Sequence, residues 1–211
     1  PKLYQKGDAA FDKKNYAYAI NCYTQILTTQ PNEPNAFKKL RLAADKNNET
    51  MGAPSSFGAK MVVAKLSGLK TLKKWDKLMA GCVDALKKYP DDPKILLLFG
   101  TAAAESNYVD LAVEVLETAT SFGLGKGADA VFLQLAKLCA KTEDMRKALG
   151  FAQQACKANP TNHEAQKYAK QVSAQITMND GGWEEAASKE AGGYRDVLAN
   201  KEPVSYTHLT L

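Results

Sequence analysis

The chain of 211 residues predicts an all-α fold, a right-handed solenoid of stacked antiparallel helix pairs, and three observations carry that expectation. Apolar residues recur at helical spacing through most of the sequence. One pattern of small and large apolar residues occurs twice: Leu96, Phe99, Gly100, Ala103, Val109, Ala112, Leu116 and Ala119 are followed 36 residues later by Phe132, Leu135, Ala136, Cys139, Met145, Ala148, Ala152 and Ala155. Short polar turns and closing prolines then divide the helices into pairs. A single pair cannot cover its own apolar face, so such units must stack on neighbours.

The bulk properties agree with this class. With 45% hydrophobic and 24% charged residues, the chain is of the soluble globular type rather than fibrous, disordered or membrane-embedded. Its uninterrupted apolar runs, such as Ile95 to Phe99 and Met61 to Ala64, fall far short of the ~20 residues that span a bilayer. Pro1 to Lys6 leads directly into an amphipathic pattern with no signal-peptide leader. The net charge of +5, from 28 basic and 23 acidic residues, is spread along the chain, which reads as a solvated surface rather than a nucleic-acid footprint. Cys22, Cys82, Cys139 and Cys156 form no CxxC pair and fall where helices place small buried residues. They are expected to be reduced thiols, and the protein to be cytoplasmic.

In chain order, Leu3, Tyr4, Gly7, Ala10 and Phe11 mark a first helix, and Tyr16, Ala19, Ile20, Tyr23, Ile26 and Leu27 a second. Lys13-Lys14-Asn15 turns between them, and Pro31-Asn32-Glu33-Pro34 stops the second. Gly7 and Ala19 are expected where the two helices cross, because a larger side chain would force the backbones apart. Residues 35–46 make a third helix whose partner is missing. Residues 47–59 are expected to be a linker, read either as a surface excursion or as a segment covering part of a groove.

Helical spacing resumes at Lys60 and continues past Trp75 to Tyr89-Pro90, a degenerate unit with Leu78 at the position usually held by Ala. Its lysines, Lys65, Lys70, Lys73, Lys74, Lys77, Lys87 and Lys88, form a polar face. The alternative to a solvated face is a module binding RNA, an acidic membrane or an acidic protein through residues 65–88, although no aromatic residues interleave for base stacking. The next two units turn at Glu105 to Tyr108 and at Lys141 to Asp144. Between them, Gly123-Leu124-Gly125-Lys126-Gly127 lacks the order of a phosphate loop and follows a helix, so it reads as a helix C-cap and linker. Residues 164–176 form a capping helix. Residues 177–202 are expected to be a flexible tail anchored by Trp183 and Tyr194, and 203–211 a non-native tail.

No catalytic or metal-ligating constellation stands out. The two histidines, His163 and His208, are far apart in sequence, and no GxSxG, HExxH, Walker or dinucleotide fingerprint is present. Glu184 and Glu185 adjoin in a polar tail, where nothing would separate their pKa values for acid–base work. The sequence therefore predicts no enzyme and no cofactor.

Gly7, Phe11, Tyr16, Ala19, Tyr23 and Pro31 resemble the tetratricopeptide signature. The resemblance covers about residues 1–176, giving domains at 1–46, 47–59 and 60–176. Gly181-Gly182-Trp183 and Tyr194-Arg195-Asp196 are similar to a tail found in uncharacterised bacterial tetratricopeptide proteins, and Val204 to Leu209 resembles translated sequencing-adaptor sequence, which would place truncation near Glu202. The family implies a non-catalytic adaptor that binds a protein or peptide on the concave face built by the first helix of each unit. On position alone, the partner-binding candidates are Tyr4, Asp8, Phe11, Leu97, Thr101, Ala104, Leu133, Lys137 and Lys141. The family's carboxylate-clamp subclass does not fit, because Tyr4 and Asp8 stand where it carries a Lys and an Asn, and an acid at that mouth would repel a carboxylate.

Overall fold

The computed structural model describes residues 2–52 and 54–180. The expected tail features from Gly181 onward, including Trp183, Tyr194 and the terminal string, lie outside those residues. Among the described residues there are ten helices and no strand: α1 (Lys2–Asp12), α2 (Tyr16–Thr29), α3 (Pro34–Met51), α4 (Ser56–Thr71), α5 (Trp75–Leu86), α6 (Pro93–Glu105), α7 (Val109–Thr120), α8 (Ala128–Lys141), α9 (Met145–Ala158) and α10 (His163–Asp180).

Four helix pairs share one turn. Lys14, Lys73, Asn107 and Glu143 each sit two residues before the second helix of a pair, with φ between 51° and 62°. This left-handed residue reverses the chain in a few steps and brings the next helix back antiparallel. It defines α1/α2, α4/α5, α6/α7 and α8/α9 as pairs, three of them packed along their length and α4/α5 over a shorter stretch. Side-chain caps begin several of these helices: Asn15 accepts from the Tyr18 amide, Asp92 from the Lys94 and Ile95 amides, and Asp144 from the Lys147 amide.

Small residues hold the pairs close, as their sequence pattern predicts. A methyl on Gly7 would come within 2.7 Å of the Tyr23 ring, and one on Gly100 within 2.5 Å of Leu116. Ala19, Ala103, Ala112, Ala148 and Ala152 are completely buried. One continuous core joins α1 through α8, with Tyr23, Phe37, Phe99, Leu78, Leu116 and Leu135 among its largest members. Two smaller clusters, around Leu133 with Ala165 and around Cys139 with Val172, seat α10 over the end of the array. Cys22, Cys82 and Cys139 are buried free thiols, whereas Cys156 is only half-buried.

The region expected to be a linker is mostly helical. Helix α3 runs five residues past Lys46 to Met51, and α4 starts at Ser56, so only residues 52–55 separate them. The polar stretch at 47–51 stays helical because its side chains bond both locally and to a distant carbonyl. The Lys46 ammonium meets Glu49 at 2.7 Å, the Thr50 hydroxyl donates to the Asn47 and Lys46 carbonyls, and Asn48 donates to the Lys88 carbonyl at 3.0 Å. Gly52, at φ 92°, then ends the helix, and the Ser55 hydroxyl accepts from the Gly58 amide to start the next. The terminal helix likewise extends beyond the expected Ile176 to Asp180.

Helix α3 is not paired with α4. It packs along α2 and against α5 and α7 instead. The contact is centred on Phe37, fully buried with its ring 6.0 Å from that of Phe99. Polar bonds surround that centre. Asn32 accepts from the Leu111 amide at the start of α7 and donates to Asp110, Lys38 pairs with Glu114 at 2.8 Å, and Arg41 pairs with Asp91 at 2.8 Å. The unit α1–α3 therefore joins the rest through the second helices of later pairs, out of chain order.

Candidate peptide-binding surfaces

The nine sequence candidates do not converge on one wall. Tyr4, Asp8 and Phe11 belong to the unit α1–α3, while Leu97, Thr101 and Ala104 lie on α6 and Leu133, Lys137 and Lys141 on α8. The two groups are separated by the docking of α3 on second helices.

The N-terminal group does form a cleft, of about 400 Å³, lined by Asp8, Phe11, Asp12, Tyr23, Lys39 and Leu42. At its centre the Asp8 carboxylate accepts from the Tyr23 hydroxyl at 2.7 Å and from the Lys39 ammonium at 2.5 Å. The bond from Lys39, reinforced by that from Tyr23, holds the Asp8 carboxyl below the ordinary aspartate range. Burial, and then the adjoining Asp8 carboxylate, raises the Tyr23 hydroxyl above the ordinary tyrosine value. Burial, followed by the nearby Glu33 carboxylate, does the same to Tyr4. The Lys39 ammonium lies 5.7 Å from the Tyr4 ring centre and 5.9 Å from that of Tyr23, so the acid and both rings already hold a cation. The rejection of a carboxylate clamp from Asp8 has a geometric counterpart here, because the one lysine facing the cleft is engaged by that same acid.

On α6, Leu97 and Ala104 are half-buried against the core, and the Thr101 hydroxyl donates to the Leu97 carbonyl at 2.7 Å. Leu133 is 6% exposed and packs with Ala155 and Ala165. The structure thus removes Leu133 from the surface, because α10 covers that end of α8. Lys137 is exposed and reaches Glu164 on α10 at 2.6 Å, and Lys141 is exposed at the end of α8.

The more capacious groove was not singled out by sequence. It measures about 600 Å³ and runs between the end of α3, the start of α4 and the segment 88–94, with Ala59, Val63, Ala64, Tyr89, Pro90 and Pro93 in its apolar lining. Asp45, Asp91, Lys60, Lys88 and Lys94 place both signs of charge on its rim. Gly58 is what lets the Tyr89 side chain lie against α4, since any Cβ there would collide with the phenol oxygen. Gly58 and Tyr89 were visible in the sequence. Their meeting was not, because it depends on α3 ending at Met51 and the chain turning within four residues into α4.

Among the described residues no group of His, Cys, Asp and Glu is arranged to hold a metal ion, and no helix is long and apolar enough to cross a membrane. The buried Cys82 thiol is pushed up to about 12 and the Cys139 thiol to about 11, in both cases chiefly by burial. Such thiols are poor nucleophiles at neutral pH.

Residues 3–33 match the family model of the tetratricopeptide repeat. Among solved structures, the tetratricopeptide domain of P58(IPK) resembles the chain with a TM-score of 0.50 at 12% identity, covering 94% of this chain and 72% of that one. The pilF protein of Pseudomonas aeruginosa gives a TM-score of 0.50 at 14% identity, over 95% of this chain and 96% of its own. At these identities the likeness concerns the fold alone. No curated protein matches the chain by sequence.

Proposed function

We propose, from the premise that this chain contains a tetratricopeptide repeat and is built of helix pairs over its described residues, that it is a non-catalytic scaffold binding another protein or a peptide. Its ligand lies along the concave face of the first helices α4, α6 and α8, anchored in the groove between α3, α4 and the segment 88–94. The observation that supports this reading is the groove itself: its volume of about 600 Å³ is of the size that encloses several side chains. An apolar lining with charges of both signs at the rim suits a peptide better than it suits a simple anion.

Photo-crosslinkers placed at Val63 and at Lys94, on opposite walls of the groove, test it. The same protein is expected in both adducts, and none from a crosslinker at Lys6 on the outer side of α1. Empty adducts at both walls, or the same yield from Lys6, overturn the reading.

A second reading, an anion-binding module using the lysines of residues 65–88, is favoured by one observation. Lys65, Lys70, Lys73, Lys74 and Lys77 are exposed and make no ion pair with any described residue. RNA binding that falls steeply with added salt would support it, and no RNA binding at low salt removes it.

A further inference from the structure

Helix α4 carries an apolar stripe that nothing described covers. Phe57, Met61, Ala64, Gly68 and Leu72 follow one another at helical spacing along one side, and Phe57, Met61 and Leu72 are 71%, 61% and 63% exposed. The matching turn residues Lys73 and Asn107 set α4 and α6 in register 34 residues apart. In that register Met61, Ala64 and Gly68 correspond to Ile95, Leu98 and Ala102, which are all buried. The α6 positions are buried because α5, the second helix of the preceding pair, packs along α6. For α4 the preceding helix is α3, and α3 packs on α2, α5 and α7 instead. The stripe is therefore the seat of a second helix with that helix elsewhere.

Two further features describe what would fill the seat. A Cβ on Gly68 would meet nothing within 4 Å, as at Gly150 in α9, whereas at Gly7, Gly81 and Gly100 it would meet a neighbouring side chain; of the two open positions only Gly68 lies in an exposed apolar stripe. A mid-helix glycine that relieves no contact within its own chain weakens the helix, yet it leaves the groove into which a ridge of a crossing helix fits. Between Glu49 and Asp76 the sequence has no acid, while Lys60 and Lys65 flank the stripe and Lys73 and Lys74 follow it in the turn after α4. A second copy of this face would set lysine against lysine, which disfavours self-pairing. An anionic membrane would use the lysines and Phe57, but it gains nothing from the gap at Gly68.

We propose that this face of α4 binds an amphipathic helix of a partner protein, apolar on one side and bordered by Asp and Glu, which takes the place of the absent second helix. The surface shares Lys60 and Ala64 with the first-helix groove, but Phe57, Met61, Gly68 and Leu72 lie outside that groove, and the two are tested separately.

The full chain is titrated with a fluorescein-labelled synthetic helix carrying Leu at i, i+3, i+4 and i+7 and Glu on its flanks. The same helix with Lys in place of Glu, and vesicles of equal parts phosphatidylcholine and phosphatidylserine, are run in parallel. The acidic helix is expected to bind, more weakly as salt is added, and the basic one not to bind. Met61→Glu, at an exposed position, is expected to abolish binding with the circular dichroism unchanged. Gly68→Leu is decisive, because it fits the open space and favours helix, yet blocks close approach: acidic-helix binding should weaken roughly tenfold, the effect of overpacking a tight contact, whereas membrane adsorption should strengthen. Vesicle binding that rises with Gly68→Leu while the acidic helix fails to bind overturns the proposal. So does a dimer in sedimentation that Met61→Glu dissociates. Thr101→Arg, on the first-helix face of α6, is expected to leave acidic-helix binding intact, so that the groove reading and this one can fail independently.

Discussion

The junction between α1–α3 and the later pairs is built differently from the stacking of α6 through α9. In the sequential stack, the close approaches are made by Gly100, Ala103, Ala112, Ala148 and Ala152, and the contact is apolar along the helices apart from the ion pair of Lys147 on α9 with Glu117 on α7. At the junction one buried aromatic, Phe37, is ringed by Asn32, Lys38 and Arg41, whose partners lie on α7 and just before α6. The first kind of contact depends chiefly on volume, with one partly exposed ion pair beside it. The second adds side-chain hydrogen bonds and ion pairs around a buried aromatic, so the two should fail in different ways.

The largest effect is expected at the plug. Phe37→Ala removes a fully buried ring and should destabilise by ~3–5 kcal/mol. In hydrogen exchange, α1–α3 should lose protection before α8 and α9 if the junction is the weaker contact. Equal loss in all helices would show that the two regions unfold as one. Gly100→Ala probes the other side of the comparison. Its methyl would meet Leu116 at Cγ and Cδ2, both at 2.5 Å, so the pair must spread, at a cost of about 1–3 kcal/mol by chemical denaturation. Gly150→Ala is the control, since a Cβ there meets nothing within 4 Å, and it should stabilise by up to ~1 kcal/mol.

The two regions were also unequally legible in the sequence. The pairs α1/α2, α6/α7 and α8/α9 could be read because small residues, turns and closing prolines recur at fixed spacing, and each reports a contact within its own unit. The end of α3 could not. Asn47, Asn48 and Thr50 have low helix propensity, and what holds them helical is Lys46 with Glu49 and a bond from Asn48 to the Lys88 carbonyl, 40 residues on. The placement of α3 on α7 likewise rests on Asn32 reaching Leu111 across 79 residues, a pairing no local pattern encodes. The candidate sites divide along the same line. The reading of Asp8 as hostile to a carboxylate did not include its partner Lys39, and the groove at Val63 and Tyr89 depends on a chain reversal where the sequence suggests a longer linker.

Asn32→Ala gives a smaller and more specific effect. It removes the acceptor for the Leu111 amide at 3.1 Å and the donor to Asp110 at 3.0 Å. Loss of a helix cap costs about 0.5–2 kcal/mol, and here the capped helix belongs to a different unit from the capping residue. Calorimetry should therefore show a lower melting temperature, and amide exchange should speed up in the first turn of α7 with little change in α2, where Asn32 caps nothing.

The smallest effect is expected from Lys38 and Glu114. They meet at 2.8 Å, but the side chains are 54% and 23% exposed, so water and salt screen the attraction. A double-mutant cycle of Lys38→Ala and Glu114→Ala should return a coupling of about 0.2–1 kcal/mol at low salt, shrinking as ionic strength rises and the screening length approaches the pair distance. The informative number is its size relative to Asn32→Ala. If the ion pair contributes as much as the cap, the junction is electrostatic and α1–α3 can be released by salt alone. If it contributes less, orientation comes from the hydrogen bonds of Asn32 and affinity from Phe37, and salt should leave the junction closed while Phe37→Ala opens it.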